Sequence, residues 1–139
     1  NSGGQVTTYS LDHTDDIAVI DVSEDGDISG VYKIEKNQQT TGLGYLFSSY
    51  YFTEVDDKLC YIFTSLGKDN ANLTGKMRDT KAELVAIDQS GNMTRKELFN
   101  SENDRITLRA LDSFKSGSGD LILYGHENNR YARFIKVSL

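Results

Sequence analysis

Residues 18–34 read AVIDVSEDGDISGVYKI, and residues 84–99 read LVAIDQSGNMTRKELF. Each holds an apolar run, an Ile-Asp step, a polar turn with Ser and Gly, and a second run in which apolar and polar residues alternate. Alternation with a period of two is the signature of a strand with one wet face. Gly, Asp, Asn and Ser supply the positive φ and the side-chain-to-backbone bonds of a tight turn. Both stretches therefore read as β-hairpins. Lined up on Ile20-Asp21 and Ile87-Asp88, the second copy has a turn two residues shorter and lacks Glu24 and Asp25.

Further runs of β-branched and aromatic residues recur outward from this pair, while apolar spacing of helical type is hard to find. They are Gln5–Ser10, Ile17–Val22, Ile28–Ile34, Tyr45–Thr53, Leu59–Ser65, Glu83–Ile87, Met93–Phe99, Ile106–Phe114, Leu121–Gly125 and Tyr131–Val137. Turn clusters such as Val-Asp-Asp-Lys and Gly-Ser-Gly-Asp separate them. The pattern predicts an all-β chain of antiparallel hairpins, with Lys68–Lys81 as a long loop and a helix there as the lesser alternative.

The first turn is also a candidate metal site. Asp21, Ser23, Asp25 and Gly26 fall at positions 1, 3, 5 and 6 of the helix-flanked calcium loop, with Asp27 beside them. The twelfth position, which in that loop is a bidentate Glu, holds Tyr32, and the flanks are strands. A hairpin whose copy persists without the carboxylates is a turn first. A surface calcium site on Asp21, Ser23, Asp25 and Asp27 is the lesser alternative, and no other cofactor is expected.

Composition narrows the function classes. The 139 residues carry a net charge of −6, which repels a phosphate backbone, so nucleic acid is not an expected partner. No apolar run approaches the ~18 residues of a membrane-spanning helix, and no signal peptide is present. The chain opens on Asn1 rather than Met, the mark of a processed or cropped piece. Cys60 is the one cysteine, inside the apolar run LCYIF, and reads as a small buried hydrophobe. Asp12, His13, Asp15 and Asp16 form an acidic turn that water satisfies as readily as a cation does. His126 has no Ser or Cys with which to form a catalytic pair. Asn72 and Asn92 fit the glycosylation acceptor pattern, which matters only in a eukaryotic source.

A second pairing supports repetition. Lys58-Leu59-Cys60-Tyr61-Ile62 aligns with Asp120-Leu121-Ile122-Leu123-Tyr124, each after a polar turn and before another strand. Four-strand repeats of about 40 to 50 residues are the mark of propeller blades. The runs KLCYIFTSLGKDN, ELVAIDQSGNMTRKELF and GDLILYGHENNRYARFIKVSL resemble the C-terminal tails of large uncharacterised bacterial envelope proteins with propeller-like repeats, over residues 45–139. The resemblance implies an exported protein, periplasmic, cell-surface or secreted, and carries no catalytic residue across.

The expected organisation is a single all-β unit or propeller fragment, with a partial blade at 1–44, a blade at 45–100 and a partial blade at 101–139. A β-sandwich or barrel is the alternative fold. The expected function is a non-catalytic binding or scaffold module acting through loops or an edge strand. Its partner would be a protein, a glycan or the rest of its own parent chain. Tyr45, Tyr50 and Tyr51 are the candidate binding residues, because exposed tyrosines on a sheet stack on sugars or anchor protein partners. The alternative is the C-terminal part of a glycan-acting propeller hydrolase or lyase with its active site upstream. In that case Asp15, Asp16, Asp56 and Asp57 would be the acidic candidates.

Overall fold

The computed structural model describes residues 11–36, 38–41, 47–66, 79–127 and 130–137. Among them are twelve strands and the 3-10 turn Ala110–Asp112. The chain is all-β, its sheets are antiparallel, and none of them closes on itself. The expected strand at Gln5–Ser10 and most of the expected loop at Lys68–Lys81 lie outside the described residues, although Thr80 and Lys81 belong to a strand.

The first layer is one long hairpin. Strands β1 (Leu11–Thr14) and β2 (Ile17–Val22) form its first arm, β3 (Ile28–Ile34) and β4 (Gln38–Thr41) its second. Pairing runs Ile17 to Ile34 in β2–β3 and Thr14 to Gln38 in β1–β4. The arm between Ile34 and Gln38 is one residue longer than the arm between Thr14 and Ile17. The resulting bulge leaves the alternation of the second arm intact, so Lys36 and Gln38 follow Ile34 inward and are buried. The central layer is a four-stranded meander of β5 (Tyr50–Val55), β6 (Lys58–Leu66), β7 (Thr80–Ile87) and β8 (Met93–Asn100). The third layer contains β9 (Ile106–Leu108) and β10 (Phe114–Lys115), both paired to β11 (Leu121–Glu127), which also pairs with β12 (Tyr131–Val137).

Both faces of the meander are covered, and that explains its sequence. Leu59, Tyr61 and Phe63 of β6, with Val85 and Ile87 of β7, pack against Ile17, Val19, Tyr32 and Ile34 of the hairpin. The intervening Cys60, Ile62, Ala82 and Leu84 pack against Leu108, Ala110, Leu121 and Leu123 of the third layer. A strand with one wet face alternates, whereas one covered on both sides reads as a continuous apolar run. Phe63 and Ile62 point in opposite directions and both are 0% exposed. Each such burial contributes about 1.5–3 kcal/mol. Cys60 is buried in the second cluster, as its sequence context implied, and burial raises its thiol pKa.

Three turns share one construction. Ser23-Glu24-Asp25-Gly26-Asp27, Asp88-Gln89-Ser90-Gly91-Asn92 and Ser116-Gly117-Ser118-Gly119-Asp120 each have a first residue whose N–H donates to the fifth residue's carbonyl. The fourth residue's N–H donates back to the first residue's carbonyl. The fifth residue's N–H donates to the first side chain, at 3.1 Å to Ser23, 2.9 Å to Asp88 and 3.1 Å to Ser116. The fourth residue is always Gly, with φ of +90°, +80° and +87°. This is the three-residue hairpin loop that closes on a left-handed residue. The two hairpins of the opening comparison thus have turns of equal length, with Ser23 rather than Asp21 in the place of Asp88. The extra residues fall in the strand, where the register shifts between Asp21 and Val22.

Candidate functional site

The first candidate cluster is the turn at residues 21–27. The Asp21 carboxylate accepts a 2.6 Å hydrogen bond from Ser29 Oγ, and Ser23 Oγ accepts from the Asp27 N–H. Asp25 and Asp27 are exposed. The described residues contain no group of three His, Cys, Asp or Glu side chains placed to hold a metal ion.

The tyrosine candidates do not form one site. Tyr45 lies outside the described residues. Tyr50 and Tyr51 are neighbours on β5, so their side chains point to opposite faces. Tyr51 is half-buried against the core shared with the third layer. Tyr50, 42% exposed, joins Phe52 on the other face, where their rings lie 6.1 Å and 5.1 Å from Tyr61. Phe52, 48% exposed and in the same aromatic run as the candidate tyrosines, is the second half of this aromatic shelf. Burial raises the Tyr61 hydroxyl pKa, helped by the neighbouring Tyr50.

A polar cleft of about 680 Å³ lies between the hairpin bulge and strands β6 to β8. Its charged lining alternates in sign: Asp16, Glu35, Asp79 and Glu83 among Lys33, Lys36, Lys81 and Arg95. Most of these charges hold each other. Lys33 Nζ is 2.7 Å from Asp16, and Lys81 Nζ is 3.1 Å from Glu97. Arg95 grips Glu83 through two nitrogens, donates at 3.0 Å to the Glu35 carbonyl, and lies 5.4 Å from the Phe63 ring centroid. Burial pushes the Glu83 pKa up, but hydrogen bonds from Arg95 and Ser65 outweigh it and leave the carboxyl below its ordinary value.

Lys36 differs from the others. It is 1% exposed and donates to the Ser48 carbonyl, while burial pulls its pKa from 10.5 down to about 8. Beside it, Gln38 donates to the Thr64 carbonyl. Their alternation continues inward from Ile34, but two polar residues at inward positions do not read as core in the sequence.

The remaining candidates are dispersed. Asp15 and Asp16 are exposed, and the side chains of Asp12 and His13 lie outside the described residues. Asp56 and Asp57 form a two-residue turn with φ of +48° and +59°. His126 sits on the outer face of the third layer, its Nε2 3.3 Å from the Tyr124 hydroxyl and 3.4 Å from Arg109 Nη1. Asn92 is bonded to Asp88 inside its turn, and Asn72 lies outside the described residues.

Both outer faces of the stack expose apolar side chains. On the hairpin, Ile20 pairs across with Val31, and Val22 with Ile28; all four are exposed. On the third layer, Phe114 stands opposite Ile122, and Tyr124 opposite Phe134 with ring centroids 5.2 Å apart. Arg109 lies 5.5 Å from the Tyr124 ring centroid. Among the described residues no helix is long and apolar enough to cross a membrane. No protein-family model, curated protein or solved structure matches the chain.

Proposed function

We propose that the chain is a non-catalytic binding or scaffold module of an exported bacterial protein, a run of propeller-type blades whose outer faces carry adjoining sheets. One observation carries this reading. Leu59 and Tyr61 look back toward the first layer, as their aligned counterparts Leu121 and Leu123 look back toward the central one. Cys60 and Ile62 look forward and are covered by the third layer. Their counterparts Ile122 and Tyr124 also look forward, onto the outer face beside the exposed Phe134. That face repeats the place where the stack continues.

The alternative, the terminal part of a propeller enzyme, draws on the polar cleft, where carboxylates and bases do converge. The pairing of Asp16 with Lys33 and of Glu83 with Arg95 favours a structural role for those groups. The exported setting rests on the resemblance to envelope-protein tails.

Hydroxyl-radical footprinting of the protein from its source, compared with residues 1–139 alone, tests the module. Val31 and Phe134 are expected to be shielded in the source protein, with Leu111, 65% exposed, as the unshielded control. Labelling of Val31 and Phe134 at the rate of Leu111 in both samples would overturn the reading.

A further inference from the structure

We propose that copies of this chain stack head to tail, the hairpin layer of one seated on the third layer of the next. This rests on the stacked-module reading above and names the occupant of both outer faces. The two faces differ in shape and match in chemistry. The hairpin offers the aliphatic pairs Ile20–Val31 and Val22–Ile28, while the third layer offers the aromatic strip Phe114, Tyr124 and Phe134. Aliphatic side chains fill the gaps between tilted rings, and burying such surfaces is the main drive for association.

Charge gives the direction. Between residues 15 and 36 the first layer carries seven carboxylates against two lysines. Between residues 105 and 137 the third carries six lysines and arginines against three carboxylates. In a molecule of net charge −6 the third layer thus carries a net positive charge, opposite in sign to the layer it would meet. Like faces brought together would instead repel.

The turns fix the polarity of the stack. The β5–β6 and β7–β8 turns lie at the same end of the meander, because alternate connections of a meander share an end. The β10–β11 turn joins them there, since Lys115 donates to the Glu54 carbonyl at 3.0 Å. The hairpin tip lies there too, because the Tyr32 ring packs over Gly91 of the β7–β8 turn. Stacking without inversion places the carboxylates of residues 21–27 beside Lys136, which shares the outer face with Phe134 and pairs with Asp120 within its own chain. Such a contact is heterologous: it closes into a ring or propagates as a filament, and it does not stop at a two-fold dimer.

Sedimentation velocity on the chain over a concentration series is the test, with circular dichroism confirming that each variant is folded. The mass should rise above 15.5 kDa with concentration and fall back in high salt. Val31→Asp and Phe134→Asp should each remain monomeric. Their mixture should form a dimer and nothing larger, since each retains one good face of opposite kind. If either variant unfolds, Asp27→Lys and Lys136→Glu repeat the logic by charge, associating better mixed than apart. A wild-type chain monomeric at every concentration, or association that survives either aspartate variant alone, overturns the proposal. A monomeric chain whose faces are nonetheless shielded in the source protein would leave the module reading standing and remove the second copy as occupant.

Discussion

Replacing Lys36 with Met should change how stability depends on pH. The ammonium is enclosed by the bulge, with the Ser48 carbonyl as its hydrogen-bond acceptor, and burial lowers its pKa from 10.5 to about 8, with the charge on Asp15 opposing part of the shift. A gap of that size corresponds to roughly 3 kcal/mol at most. Its sign follows from proton binding. Between pH 8 and 10.5 the folded chain binds fewer protons than the unfolded one, so stability rises with pH across that window. Below about pH 8 the cost of burying the charge is fully present. Lys36→Met removes that cost and keeps a similar volume, but leaves the carbonyl without this donor, a loss of about 1–3 kcal/mol. The variant should be near neutral in stability at pH 7. It should then fall behind the wild type by roughly 3 kcal/mol as pH climbs to 10.5. Cys60 and Tyr61, whose pKa values burial raises, lower stability at alkaline pH in both proteins and cancel in the difference. Urea unfolding at half-unit pH steps measures that difference. A flat difference from pH 7 to 10.5 would refute the buried ammonium.

Three further substitutions probe the fold and the cleft. Gly91→Ala should lower stability by about 1–3 kcal/mol in thermal unfolding, because φ is +80° there and an added Cβ would sit 2.7 Å from the Tyr32 hydroxyl. Changing Asp56-Asp57 to Asn-Gly should stabilise by about 1 kcal/mol, since both residues have positive φ in a two-residue turn that favours that pair. Glu83→Gln should cost about 1–2 kcal/mol at pH 7 by weakening the Arg95 fork. Wild-type stability carried by this carboxylate, held below its ordinary 4.5, should be lost as pH falls through its lowered value, a loss the glutamine variant lacks.

Much of the fold was legible because strands announce themselves locally. The hairpins at 17–34 and 80–100 are visible in their alternation and their Gly-bearing turns, and the run LCYIF marks a strand covered on both faces. The boundary details were not. The shared Ile-Asp step aligns the copies on Asp21, whereas the turns superpose on Ser23, two positions on, and the one-residue bulge at Ser29 leaves no residue signature. Of the expected partial blade at 1–44, the described residues show two broken arms of one hairpin, and the run Gln5–Ser10 lies outside them. The candidate site was less legible. Tyr50 and Tyr51 adjoin in sequence and part in space. The cleft joins Lys33 and Lys36 to Lys81 and Arg95, residues far apart along the chain that no local pattern links.

Two separate cores lie on opposite faces of the central sheet, and methyl-directed NOE spectroscopy reads that arrangement. Contacts are expected from Ile17 and Val19 to Val85 and Phe63 and from Leu121 and Leu123 to Ile62 and Leu84, with none between Ile17 or Val19 and Leu121 or Leu123. Contacts joining those last two groups would place them in one core and replace the stack with a closed sandwich.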